Sequence, residues 1–262
     1  MRRFILNADD LGLSEGINLG IAKSVKAGLV KSTSVMVNMP DARKGIELVC
    51  KSNPNVEINL HINFTLGYPV YEPIEEIESL LDENGQFLSS SHYKNGGTLT
   101  FEYPAIKKEM RAQILRFKEL LGAYPVHMET HSVGDQAVGQ ALYELAEEYG
   151  IHANLFYDYQ PPKELPYDKA QIPDFAKLMT VLNRGTKLAD FEEDHFGYRD
   201  LPEDQVIEFH FHPGYLDQFV LDHSSLTLPR CQDLATLISP ELKEWFQEKG
   251  NKVVNFASLK RN

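Results

Sequence analysis

The stretch Phe4-Ile5-Leu6-Asn7-Ala8-Asp9-Asp10 begins the pattern by which the rest of the chain is read. Phe4–Leu6 is a short apolar run and predicts a strand that ends at the polar residues Asn7 to Asp10. Ile17, Ile21, Val25 and Leu29 then recur every four residues. That is the stripe of a helix buried on one face, with Ser14 as its N-cap and Gly28 near its end. Ser32–Val37 returns to the β-branched composition of a strand. These first residues therefore spell one strand-helix-strand unit.

The alternation continues outward. Asp41–Cys50 reads as a helix and Val56–Asn63 as a strand. Ile106, Met110, Ile114, Phe117 and Leu121 form a helical stripe that stops at Gly122, and Val126–Thr130 is the next strand. Val138, Ala141, Leu142, Leu145 and Tyr149 mark a helix closed by Gly150. Strand Val206–Phe211 follows, then a helix opened by Ser239-Pro240-Glu241 and closed by Gly250, then strand Lys252–Phe256. Roughly seven such units predict an α/β fold with a mostly parallel sheet covered by helices. A (β/α) barrel of fewer than eight strands fits this length, and a doubly wound open sheet is the alternative. One domain over residues 1–262 is expected, with irregular loops at 64–97 and 156–175.

The 262 residues are 42% hydrophobic and 24% charged, ordinary for a globular chain able to close a core. Thirty-eight acidic against 26 basic residues give a net charge of −12, which disfavours nucleic acid and anionic membrane surfaces as partners. The apolar run after Met1 is too short for a signal peptide, so the cytoplasm is the expected location. Cys50 and Cys231 show no paired spacing and are expected to be reduced, buried thiols.

In either parallel architecture, ligands bind where the strands end. Asp9 and Asp10 stand at the end of the first strand. Asn59, His61 and Asn63 alternate along a second, His127, Glu129 and His131 along a third, and Glu208, His210 and His212 along a fourth. Alternation places each trio on one face of its strand. Burying so many titratable groups without partners would be costly, and a divalent metal resolves the problem by binding neutral imidazoles and carboxylates. One Asp with two His would leave coordination positions open, as in catalytic sites. A second Asp beside the ion could take a proton from water, and a further His could give one to a leaving group. Those parts describe metal-assisted hydrolysis of an acyl bond. There is no Gly-rich phosphate loop, no Gly-x-Ser-x-Gly elbow and no His-Glu-x-x-His helix.

Asn7-Ala8-Asp9-Asp10-Leu11-Gly12-Leu13-Ser14 resembles the opening motif of the YdjC-like (ChbG-type) carbohydrate deacetylases. Val30-Lys31-Ser32-Thr33-Ser34-Val35-Met36-Val37-Asn38-Met39 and Asn59-Leu60-His61-Ile62-Asn63-Phe64-Thr65-Leu66-Gly67 continue the match. Pro125-Val126-His127-Met128-Glu129-Thr130-His131 is similar to the family's Pro-x-His-x-Asp-Ser-His. Glu208-Phe209-His210-Phe211-His212-Pro213-Gly214 is similar to its Glu-x-x-x-His-Pro-Gly, and Arg230 through Leu242 to its C-terminal end. The ordered set covers nearly the whole chain.

The resemblance implies a distorted (β/α) TIM-like barrel, seven-stranded, that removes N-acetyl groups from amino sugars such as chitooligosaccharides. It makes Asp9 the general base, and gives the metal to Asp10, His61 and His131. His212 becomes the general acid, and Arg230 orients carboxylates or substrate. Asn63 and Glu129 are expected on the substrate side. The implied metal is Mg2+, while two imidazoles and a carboxylate suit Zn2+ on softness. Two departures stand out: Glu129 replaces the family's Asp, and Ser132-Val133-Gly134-Asp135 replaces further histidines.

The expected partner is an N-acetylated sugar. Tyr68, Tyr71, Tyr93, Phe156, Tyr157 and Tyr159 in the two loops allow a sugar platform, plain loop packing or a homodimer contact. The rival readings are a non-catalytic, metal-bearing sugar-binding module, or a metal-dependent phosphoesterase or cyclic amidohydrolase. A phosphoesterase would want a second metal and more Lys or Arg on the motif strands.

Overall fold

The protein is described here by a computed structural model, over residues 1–94, 101–155 and 169–259. In chain order the elements are β1 (Arg3–Leu11), α1 (Glu15–Ala27), β2 (Ser32–Val35), α2 (Ala42–Ser52) and β3 (Glu57–Ile62). Then come α3 (Ser90–Lys94), α4 (Tyr103–Leu121), β4 (His127–Thr130), α5 (Gln136–Tyr149) and β5 (His152–Ala153). The C-terminal part holds α6 (Phe175–Arg184), α7 (Leu188–Glu192), β6 (Val206–Phe211), α8 (Gln218–His223), α9 (Leu228–Leu237), α10 (Pro240–Glu248) and β7 (Lys252–Val254). The strands form a seven-stranded sheet, and every described pairing between them is parallel, the (β/α) class expected.

The chain divides into two compact units. The first comprises Met1–Val35, Asp41–Ile58 and Lys169–Lys260. Within it β1 pairs with β2, β6 and β7. Its core is aromatic: Phe4 stacks on Phe209 and meets Tyr198 and Phe246 edge-on, while Phe191 contacts Phe196, Phe209 and Trp245. Helix α1 is capped as expected, with the Ser14 hydroxyl accepting from the Ile17 amide and Gly28 in the left-handed region.

The second unit comprises Met36–Pro40, Asn59–Asp168 and Arg261–Asn262. Here the body of β3 pairs with β4, His61 opposite Glu129, and β4 pairs with β5, His127 opposite His152. Helices α4 and α5 end at Gly122 and Gly150, both left-handed, as their stripes predict.

Three expectations need correction. The first strand runs to Leu11 instead of stopping at Leu6, because its polar residues are buried and paired instead of turning to solvent. The last strand stops at Val254, and a 3-10 turn takes Phe256–Ser258. Cys50 is exposed and Cys231 half-buried; both are free. Cys50 sits one residue beyond Val49, off the stripe Ala42, Gly45, Ile46 and Val49 that α2 buries.

Of the two irregular loops, residues 64–94 carry 3-10 turns at Ile74–Glu76 and Glu78–Leu80, α3, and an antiparallel bridge between Leu81 and Phe87. Residues 95–97, and most of the second loop with Phe156, Tyr157 and Tyr159, lie outside the described residues.

Candidate active site

In the first unit the site begins with a backbone irregularity. β1 and β2 pair Ala8 with Thr33 and then Leu11 with Val35, so β1 carries one extra residue, and Asp10 takes φ 70°. In a regular strand consecutive side chains face apart. The bulge gives two adjacent acids separate buried partners. Parallel pairing of Asn7 with His210 brings the ends of β1 and β6 level.

Asp9 is 3% exposed. Its Oδ1 accepts from Asn7 Nδ2 at 2.7 Å and from the Ser34 hydroxyl at 3.3 Å. His210 Nδ1 lies 2.9 Å from Asp9 Oδ2 and 3.1 Å from Oδ1, while His210 Nε2 lies 2.5 Å from Glu208 Oε1. Burial works against a charge on His210, but the Asp9 and Glu208 carboxylates outweigh it and hold the imidazole well above its ordinary range. Sequence reasoning left His210 and Glu208 without roles, although their alternation on β6 was visible.

Asp10 is fully buried, and Arg230 on α9 places Nη2 2.8 Å from its Oδ2. Arg230 is itself 2% exposed, with Nε donating to the Leu226 carbonyl. His212 has Nε2 4.0 Å from Asp9 Oδ2, and its amide donates to Asp233 Oδ2 at 2.9 Å. Asp233, which also accepts from the Thr186 amide, thus fixes the backbone at His212, a role that no residue spacing marks. Burial pulls the His212 imidazole below its ordinary range, despite the nearby Asp10 and Asp9.

In the second unit the histidines converge on one another. His61 Nδ1 lies 3.1 Å from Glu129 Oε1, and His61 Nε2 lies 3.2 Å from His131 Nδ1. Glu129 is fully buried, and its other oxygen lies 2.8 Å from His127 Nε2. Burial raises its carboxyl, yet hydrogen bonds and charge from His127 and His61 prevail and keep it low, hence ionised. Glu129 thus backs the Nδ1 side of His61, and Nε2 faces His131. Ring nitrogens with a carboxylate behind them are the usual arrangement of metal-ligating histidines. These residues fit a divalent ion of the kind the YdjC resemblance implies. His131 is brought there by a tight turn: Ser132 takes φ 63° and the Thr130 hydroxyl donates to the Val133 carbonyl.

Asn63 is buried and its side chain is engaged locally, donating to Asn38 Oδ1 and the Leu66 carbonyl and accepting from the Thr65 amide. It shapes the loop that leaves β3. Of the loop tyrosines, Tyr71 donates to Glu76 and Tyr93 stacks on Phe101, whereas Tyr68 is 59% exposed.

Residues 3–248 match the YdjC-like protein family. The chain belongs to that family. Among relatives of this YdjC-like protein is carbohydrate deacetylase 2 of Listeria innocua, 28% identical over 98% of both chains. A carbohydrate deacetylase of Clostridium beijerinckii is 29% identical, covering 98% of this chain and all of that one. A crystal structure from Enterococcus faecalis, described as a cellobiose-phosphate cleavage protein, superposes with a TM-score of 0.77 at 24% identity over 98% of each chain, which speaks for the fold. Among the described residues no helix is long and apolar enough to cross a membrane.

Proposed function

We propose that this YdjC-like protein is a cytoplasmic, metal-dependent carbohydrate deacetylase that hydrolyses the N-acetyl group of an amino sugar or chitooligosaccharide. The observation that carries the proposal is the His61 geometry: Glu129 takes the Nδ1 side at 3.1 Å, and Nε2 faces His131 Nδ1 at 3.2 Å. The deacetylase names of the full-length relatives supply the substrate class. In this reading His61, His131 and Asp10 hold one divalent ion. Such an ion supplies Lewis-acid polarisation of the acetyl carbonyl and charge to stabilise its oxyanion.

The remaining steps belong to the chain's own groups. Asp9, hydrogen-bonded on its far side to His210, takes a proton from the attacking water. Asn7, Ser34 and His210 fix its carboxylate so that it need not reorganise as the charge moves. His212 delivers a proton to the departing amine, and its burial makes it release a proton readily. Arg230 fixes the Asp10 carboxylate, and Glu129 fixes the ring of His61. Water plus amide becomes acetate plus ammonium: Asp9 takes one proton of the water, His212 gives one to the leaving nitrogen, and proton exchange with solvent resets both. Two imidazoles and one carboxylate favour zinc on ligand softness, whereas the family resemblance implies magnesium.

The test is acetate release from N-acetylated mono- and disaccharides with magnesium, zinc or chelator. Metal-dependent acetate release is expected. Tight sugar binding without acetate release would replace the reading with a sugar-binding module, and phosphate release from a phosphate ester would replace it with a phosphoesterase.

A further inference from the structure

The roles assigned above use His212 as the proton donor and leave unexplained why β6 places a second buried histidine two residues earlier. Neutral imidazole has one N–H donor and one acceptor lone pair, and an ionised carboxylate can only accept. Both nitrogens of His210 face carboxylates: Nδ1 spans the two oxygens of Asp9 at 3.1 and 2.9 Å, and Nε2 meets Glu208 Oε1 at 2.5 Å. A lone pair on either nitrogen would be set against an acceptor in a place with little water, since all three side chains are at most 5% exposed. Asn7 and Ser34 donate to Asp9 from the same unit, His212 lies 4.0 Å from it, and the charge of Lys169 acts on Glu208.

We propose that His210 is a positioning residue for the reaction: a doubly protonated imidazole, anchored by Glu208, that clamps the Asp9 carboxylate from behind. A single N–H bridging both oxygens resists rotation of the carboxylate about its Cβ–Cγ bond. Glu208 in turn holds the ring from its far side, so the base is located by a three-residue line instead of by its own rotamer. Charge-assisted hydrogen bonds of this type are about twice as strong as neutral ones. The clamp rests on the deacetylase reading only for what it does to the rate; its protonation state does not.

Nitrogen-15 spectra of the histidine rings in metal-free protein at neutral pH test the clamp directly, with the His210 signals assigned through His210→Gln. Both ring nitrogens are expected to be protonated in the wild type, and Glu208→Gln is expected to remove the proton from Nε2. A neutral His210 tautomer in the wild type would overturn the proposal. Kinetics supply the second readout. His210→Gln retains one donor toward Asp9 and His210→Leu retains none, so the Leu variant is expected to lose kcat by about ten- to a hundredfold relative to the Gln variant, with KM unchanged. Equal kcat in the two variants, or losses that simply track their melting temperatures, would reduce His210 to core packing. If the wild type releases no acetate from any sugar, the deacetylase reading fails while the spectra still decide the clamp.

Discussion

At the scale of single residues, Asp9 and Glu129 do different work with the same functional group. Asp9 is met by three donors and sits beside His212, where the proposed role is that of base. Asp9→Asn should lower kcat by about 10²–10⁴-fold while metal binding, read by calorimetric titration, persists. Wild-type kcat in that variant would remove Asp9 from the chemistry. Glu129 instead has one oxygen on His61 and the other on His127. Glu129→Gln should therefore weaken metal affinity by about 10–100-fold in the same titration; unchanged affinity would mean that Glu129 does not orient the ligand. The residue types at these positions were legible from alternation along the strands. The bulge at Asp10 was not, because a positive φ on an aspartate leaves no composition signal. Asp233 was equally hidden: it works through the backbone amide of His212, which no spacing rule reports.

At the scale of elements, α4 both closes the second unit's core and holds the loop that follows the His61 strand. Glu109 on α4 is fully buried and accepts from the amides of Val70 and Tyr71 and from Gln113, while Gln113 pairs with both backbone groups of Asn63. Burial pushes the Glu109 carboxyl up to about 7, against the pull of its donors. Its folded pKa lies above its unfolded value, so the native state binds the extra proton and loses stability as pH rises from about 4.5 to about 7. Relative to Glu109→Gln, the wild type should lose on the order of 3 kcal/mol between pH 4.5 and 8 in urea unfolding. Parallel pH profiles for the two proteins would show that the carboxyl titrates normally.

In the first unit, α1 approaches the turn after β6 so closely that a Cβ on Gly20 would come within 2.5 Å of the Gly214 Cα. Gly20→Ala should cost about 1–3 kcal/mol and lower kcat through the His212-Pro213-Gly214 segment. A stable, fully active Ala variant would contradict that packing. Helices and their caps were legible because periodicity and Ser, Gly and Asp caps act within a few residues. Strand ends at β1 were not, since buried polar side chains imitate a turn when read one residue at a time.

At the scale of the whole molecule, the alternation of strands and helices sufficed for the (β/α) class, and the ordered motifs sufficed for the family. Neither specifies the sugar or the ion, because those depend on loop surfaces and ligand softness, not on the strand pattern.

The proposed site gives Asp10, His61 and His131 an ion that deacetylation requires. The direct measurement is acetate release by chelator-treated protein on N-acetylated sugars, as magnesium or zinc is added back to the wild type, Asp10→Asn and His61→Ala. Activity is expected to disappear with chelation and to return with one of these metals in the wild type only. Full activity in chelator, or equal recovery in either variant, would contradict it.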